Sequence, residues 1–165
     1  MKALVVYESL WGNTAAVARA VAEGLGPGAR ALSTAEATSA ELAGADLVVA
    51  GSPVLAFRMP TDQVRESLRS TPADAPSPAD LSHPPMHSWL AALAAASAAA
   101  AAFDTQVRGP FGKAAPAIAK GLERAGYRVV AKPQGFTVAG KYGPLREGEL
   151  ERAKAWGEEL RRALP

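Results

Sequence analysis

Strands alternating with helices through 165 residues predict an α/β domain, doubly wound around a five-stranded parallel sheet. Three observations carry this expectation. Ala3 to Tyr7 is a continuous apolar run containing Val5 and Val6, the pattern of a strand covered on both faces. From Asn13 the period becomes helical, with Val17, Val21 and Leu25 recurring every fourth residue beside Ala20 and Gly24. Asp46 to Gly51 then repeats the buried-strand pattern, so that a right-handed crossover unit opens the chain.

Asn13 and Thr14 read as caps of the first helix, and Gly24-Leu25-Gly26-Pro27-Gly28 as its stop. Ala29 to Ser33 is a weak second strand, Ser39 to Ala43 a very short helix, and Asp46 to Gly51 the third strand. Pro60-Thr61 starts a helix that turns Val64 and Leu68 inward. Thr71 to Pro85 has five prolines among polar residues, so it reads as a surface loop, mobile and dispensable for the fold. Trp89 to Leu93 suggests a helical turn. Ser97 to Phe103 is assigned as the fourth strand from its position in the alternation, against the helical propensity of its alanines. Ala115, Ile118, Leu122 and Ala125 mark a helix that must start close before Pro116. Tyr127 to Ala131 is the fifth strand. Glu149 to Leu164 is the last helix, with Leu150, Ala153, Trp156 or Gly157, Leu160 and Leu164 inward. No internal repeat or composition break divides the chain, which reads as one domain over residues 1–165.

Composition excludes several function classes. There is no cysteine, hence no disulfide framework, thiol nucleophile or cysteine-based metal site. The longest apolar stretch, Trp89 to Phe103, falls short of the ~20 residues of a membrane span. The apolar run after Met1-Lys2 is too short for a signal peptide, so a cytoplasmic protein is expected. The 38 alanines, and the excess of Arg over Lys, are the coding habit of a GC-rich genome. A net charge of +2 without basic clusters gives no footprint for nucleic acid.

Ligands of such sheets bind beyond the carboxyl ends of the strands. The loops to inspect are therefore Glu8 to Thr14, Ser52 to Met59, Asp104 to Gly109 and Lys132 to Glu147. In the first, Ser9, Asn13 and Thr14 surround Gly12 at a helix start. Free N–H groups and hydroxyls there make a cradle for one phosphate, held by neutral donors because the loop has no Lys or Arg. A plain capping role for the same residues is the alternative. No G-x-x-x-x-G-K-[ST] motif is present, and Gly24, Gly26 and Gly28 end a helix rather than follow a strand, which excludes a dinucleotide fingerprint. A phospho-acceptor domain needs an Asp where Ser52 stands, so Lys132-Pro133 is accidental. Ala50-Gly51-Ser52-Pro53-Val54 lacks the second glycine of a serine-hydrolase elbow. His83 and His87 are spaced like helical metal ligands, but Pro84 and Pro85 forbid that helix, so no metal site is assigned.

Tyr7-Glu8-Ser9-Leu10-Trp11-Gly12-Asn13-Thr14 resembles the phosphate loop of flavodoxin-like FMN proteins. Gly51-Ser52-Pro53-Val54 with Phe57 is similar to their second flavin loop, and Phe103-Asp104-Thr105 to their third. Gly143-Pro144-Leu145 with Gly148-Glu149 resembles a segment of bacterial members. The resemblance spans nearly the whole chain and implies strand order 2-1-3-4-5 and FMN as cofactor. It implies phosphate contacts from Ser9, Gly12, Asn13 and Thr14, with Leu10 and Trp11 in the same loop. Ser52, Pro53, Val54, Leu55 and Phe57 would form the second flavin loop, with Val54, Leu55 and Phe57 facing the ring. Asp104 and Thr105, after Phe103, would reach the ring's pyrimidine edge. Trp11 stands where flavodoxins proper carry a hydroxyl, and the chain lacks their strong acidity. No residue is assigned a catalytic role. The function implied is electron or hydride transfer through FMN, as carrier or small reductase, with a redox protein, a nicotinamide cofactor or a small acceptor as partner. The alternative is a binding or regulatory module that keeps the fold without flavin. Arg58 and Arg108 are expected beside the ring, where positive charge favours the reduced flavin.

Overall fold

The apolar run at the amino end forms β1 (Ala3–Tyr7) in a computed structural model that describes residues 1–165. It pairs in parallel with β2 (Ala29–Ser33) on one side and β3 (Leu47–Pro53) on the other. β4 (Ala99–Val107) pairs with β3, and β5 (Arg128–Val129) pairs with β4, giving the order β2-β1-β3-β4-β5. The doubly wound parallel sheet and its order are as expected.

The fifth strand is not. The segment from Tyr127 to Ala131 pairs over only two residues, and a second strand, β6 (Gln134–Val138), continues along the same side of β4. Ala100 pairs with Val129, whereas Phe103 pairs with Gln134, so three steps on β4 face five on the edge. Pro133, which has no N–H to offer the ladder, sits in that gap. β6 lies in a stretch expected as loop, because Gln134 and Gly135 open it without an apolar run. Both β3 and β4 also extend past their expected ends, to Pro53 and Val107.

The strand alternation divides the core between two faces. Leu4, Val6, Val48, Ala50, Ala100 and Ala102 point to one side. There they meet α4 (Met86–Ala91) and α5 (Ala115–Arg124). Ala3, Val5, Val49, Ala101 and Phe103 point to the other, against α1 (Asn13–Leu25) and α6 (Glu149–Ala163). Each fully buried Val or Leu contributes about 1.5–3 kcal/mol. Trp89 and Trp156 are both core residues, one on each face. The alanines of β4 form a strand because their small side chains let helices close on both faces, a tertiary gain larger than their helical preference. α1 and α6 touch backbone to backbone: a Cβ on Gly24 would lie 2.0 Å from the Lys154 carbonyl oxygen, and one on Gly157 2.3 Å from that of Val21. Leu150, expected inward, is 42% exposed, because the buried stripe of α6 runs through Glu149, Ala153, Trp156 and Leu160 instead.

Two short helices complete the chain, α2 (Ser39–Leu42) and α3 (Asp62–Ser67), each capped at its start by a threonine hydroxyl. No helix is long and apolar enough to cross a membrane.

Candidate functional site

β1 ends at Tyr7, and the chain reaches α1 through Glu8 to Gly12. Gly12 caps the helix at φ +93°, and the space where its Cβ would stand is open. A side chain there would be strained and would fill the mouth of the loop. The N–H groups of Gly12, Asn13 and Thr14 have no partner in the chain. Capping is done by Ser9, whose Oγ accepts from Ala15 N–H at 3.2 Å, not by Asn13 or Thr14. Asn13 Nδ2 donates to the Tyr142 carbonyl at 3.1 Å, and Thr14 Oγ1 shares a hydrogen bond with Thr105 Oγ1 at 2.8 Å. These contacts tie three loops together around unpaired donors carrying the positive end of the helix dipole.

The second loop turns sharply after β3. Leu55 and Arg58 exchange backbone hydrogen bonds of 2.9 and 3.2 Å around Ala56 and Phe57, both of which have positive φ, 49° and 73°. This is the mirror-image hairpin turn that usually carries Asn-Gly. Two side-chain-bearing residues held in the left-handed region store strain at a functional surface. The result is that Phe57 stands out of the turn, 63% exposed. The loop after β4 packs on it: a Cβ on Gly112 would lie 2.1 Å from the Phe57 carbonyl oxygen, so only glycine fits there. Phe111, 50% exposed, forms the facing lip.

Between these loops lies a cavity of about 360 Å³, within the range of small-molecule and cofactor sites. The first loop contributes Ser9, Leu10, Trp11, Asn13 and Thr14, and the second Pro53, Val54, Leu55, Ala56 and Phe57. Thr105, Val107 and Phe111 come from β4 and the loop after it, Val138 and Lys141 from β6 and its exit. Gly12 does not line this cavity; it is exposed beside it as the helix cap.

Ser52, Phe103 and Asp104 fall outside the cavity. Ser52 is fully buried and its Oγ donates to the Pro53 carbonyl. Phe103 packs edge-on against Phe136 and Trp156, over the bare face of Gly51. Asp104 is fully buried, and its Oδ2 accepts from Ala114 and Ala115 N–H at 2.8 and 2.9 Å, which caps α5. β4 runs beyond Phe103, so alternate residues face the site: Thr105 and Val107 do, Asp104 does not.

Five contributors lie outside the residues assigned from sequence, among them Phe111, just past the loop expected to follow β4. Val107 lies on β4 beyond its expected end, and Val138 ends β6, a strand in the stretch expected as loop. Ala56 enters through the unusual turn. Lys141 is carried by a hairpin closed by Ala139 N–H to Pro144 O at 2.8 Å and Arg146 N–H to Thr137 O at 3.0 Å. It is the one charged side chain lining the cavity, with its ammonium 5.5 Å from the Tyr142 ring centre. Arg58 and Arg108, expected beside the ring, are exposed and do not line the cavity.

The proline-rich stretch has no regular structure, yet it is anchored. Trp11 Nε1 donates to the Ser77 carbonyl at 3.1 Å, Asp80 N–H to the Leu10 carbonyl at 2.8 Å, and the Tyr142 hydroxyl to Asp74 at 3.0 Å. Beneath the first loop, Glu8 is completely buried and pairs with Arg65 at 2.7 Å, while Met86 N–H donates to its other oxygen at 2.9 Å. Burial raises the Glu8 carboxyl above the usual range, opposed by Met86 N–H and Arg65. Arg65 also donates to the His83 carbonyl, and His83 Nε2 accepts from Ser9 N–H at 3.0 Å. The stretch expected to be dispensable is therefore the floor of the first loop.

Unpaired N–H groups at a helix start, beside a mostly apolar cavity at the carboxyl ends of a doubly wound sheet, are the arrangement of a mononucleotide-binding class of protein. The family model for flavodoxins matches residues 5–156, and the chain belongs to the flavodoxin family, whose cofactor is FMN. Among solved structures, a flavodoxin from the Archaea is similar over 98% of this chain and 97% of its own, at 22% identity and TM-score 0.68. Flavodoxin 1 from Bacillus cereus covers 100% of both chains at 16% identity and TM-score 0.68. The rubredoxin oxygen:oxidoreductase of Desulfovibrio gigas matches 98% of this chain over 35% of its own, at 20% identity and TM-score 0.60. No curated protein matches the sequence.

Proposed function

We propose that this flavodoxin holds FMN with its phosphate on the N–H groups of Gly12, Asn13 and Thr14, and transfers electrons or hydride as a carrier or small reductase. The observation that carries this reading is the set of unpartnered N–H groups around the open space at Gly12, at the end of an apolar slot. The donor chemistry suits a phosphate and the slot suits a flat ring. Bound FMN would supply the redox chemistry; the chain has no cysteine to offer a thiol–disulfide couple of its own.

The remaining roles belong to the protein. Ser9 Oγ is committed as an acceptor to Ala15 N–H, so its hydroxyl proton is free to donate. In the Thr14–Thr105 pair one hydroxyl proton is likewise free. Lys141 adds a cation that the first loop lacks. Leu55, Val107 and Val138 exclude water from the slot, and Phe57 and Phe111 border its mouth. The loops 54–58, 108–113 and 139–143 carry Arg58, Arg108, Lys113 and Lys141 and no acidic residue. A partner recognised there is acidic: a redox protein with a carboxylate-rich face, or a nicotinamide cofactor through its phosphates.

Titration with FMN and riboflavin tests the site. FMN should bind more tightly, and Ser9→Ala and Lys141→Met should each weaken it by about 10–100-fold, with riboflavin nearly indifferent. A chain that binds neither flavin would refute the reading in favour of a flavin-free module. Consumption of NADH or NADPH by the loaded protein separates a reductase from a carrier.

A further inference from the structure

The first loop is held from below by one neutral histidine. Ser9 N–H does not face the cavity; it points into the protein and donates to His83 Nε2 at 3.0 Å, inside a contact closed to solvent. Nε2 is therefore the acceptor, and the ring proton sits on Nδ1, the nitrogen turned toward Asp80 at 3.7 Å. The same histidine offers its carbonyl to Arg65, whose guanidinium is paired with buried Glu8, the residue before Ser9. Meanwhile Ser9 Oγ holds Ala15 N–H. The backbone of Ser9 is thus pinned on one side by a titratable ring and on the other by the helix whose free N–H groups form the cradle.

We propose that His83 is the positioning residue of the phosphate loop, and that its protonation turns the acceptor facing Ser9 N–H into a donor, frees the loop and weakens FMN binding at acid pH. The proposal rests on the phosphate site proposed above.

The surroundings define the charge balance. On its own loop His83 faces Asp80; from α3 it faces Arg65; and at the end of β1 lies Glu8, paired with Arg65. His87, on α4, is paired with exposed Asp62 at 2.7 Å and acts on Glu8, not on the Ser9 contact. Burial, aided by Arg65, holds the His83 ring below its ordinary value of 6.5, against the pull of Asp80. The ring is therefore neutral at pH 7 and takes its proton only below 6.5, where Nε2–H would oppose Ser9 N–H. Two donors facing each other in a closed contact cannot both remain, so the Ser9 contact opens and leaves that side of the loop unheld.

The chain has two histidines, so each can be followed separately. In the flavin-free full chain, the Ser9 amide resonance and the His83 ring should titrate together by NMR, and His87→Gln should leave both unchanged. Ser9 unmoved while His83 titrates would overturn the proposal, and this measurement needs no variant at position 83. The second arm compares FMN affinity from pH 7.5 to 5 in the parent chain and in His83→Gln, whose side-chain oxygen can accept from Ser9 N–H but does not titrate. The FMN phosphate itself titrates near 6, equally in both proteins. The difference between the profiles isolates the ring: parent affinity should fall up to about tenfold more per pH unit below the His83 pKa. Parallel profiles would overturn the proposal. Joint titration of Ser9 and His83 in a chain that binds no FMN would uphold the coupling and overturn the phosphate assignment instead.

Discussion

Replacing Arg65 by Met should cost the fold about 3–5 kcal/mol at neutral pH, because it strands a carboxylate with no access to water. Glu8 is fully buried and has two partners, Arg65 Nη1 at 2.7 Å and Met86 N–H at 2.9 Å. Methionine keeps most of the arginine stem's volume, so the loss is one of charge and hydrogen bonds, including that to the His83 carbonyl. For a domain of this size each kcal/mol lowers Tm by about 2–4 °C, giving a drop of roughly 6–20 °C. The pH dependence follows from the raised Glu8 pKa. A group raised above its unfolded value, 4.5 here, adds stability that is complete below that value and is lost as the pH rises through the folded pKa. Without Arg65 the folded pKa rises further, so the defect should be largest at pH 7 and shrink near pH 4, where Glu8 is protonated in both states. Glu8→Gln added to Arg65→Met should recover much of the loss. Urea unfolding at the two pH values measures all of this. An Arg65→Met chain within 1 kcal/mol of the parent at pH 7, or a double variant no better than the single one, would refute the reasoning.

Three further perturbations separate scaffold from site. Ala56→Gly should stabilise the chain by up to about 1 kcal/mol in chemical denaturation, the reverse of the usual sign, because Ala56 stands at φ 49° in a turn that favours glycine. Gly112→Ala should lower both stability and FMN affinity, since its Cβ would collide with the Phe57 carbonyl and force the two lips of the cavity apart; calorimetry and flavin titration read the two effects. Asp104→Ala should cost about 2–3 kcal/mol by stranding Ala114 and Ala115 N–H, yet leave FMN affinity within a fewfold of the parent, as expected of a helix cap outside the cavity.

The layers, and the loops that line the cavity, are written in local stretches of sequence. Buried parallel strands need unbroken apolar runs and amphipathic helices need a period near four, so both are written locally, as in Ala3–Tyr7 and in Val17, Val21 and Leu25. The part of the cavity wall formed by Ser9, Asn13 and Thr14 was legible for the same reason, since they are neighbours in the chain. Relations between distant segments are set by packing alone. Whether Asp104 or Thr105 faces the cavity depends on where β4 ends, one residue of register reversing the face. Lys141 reaches the site through a hairpin formed 127 residues after Thr14, and carries a cation no local reading of the first loop contains. His83, in a stretch whose prolines and polar residues look merely solvated, is buried because Glu8 needed Arg65, and Arg65 needed a carbonyl. A buried charge must find partners wherever the fold supplies them, and that requirement leaves no periodic trace in the residues that satisfy it.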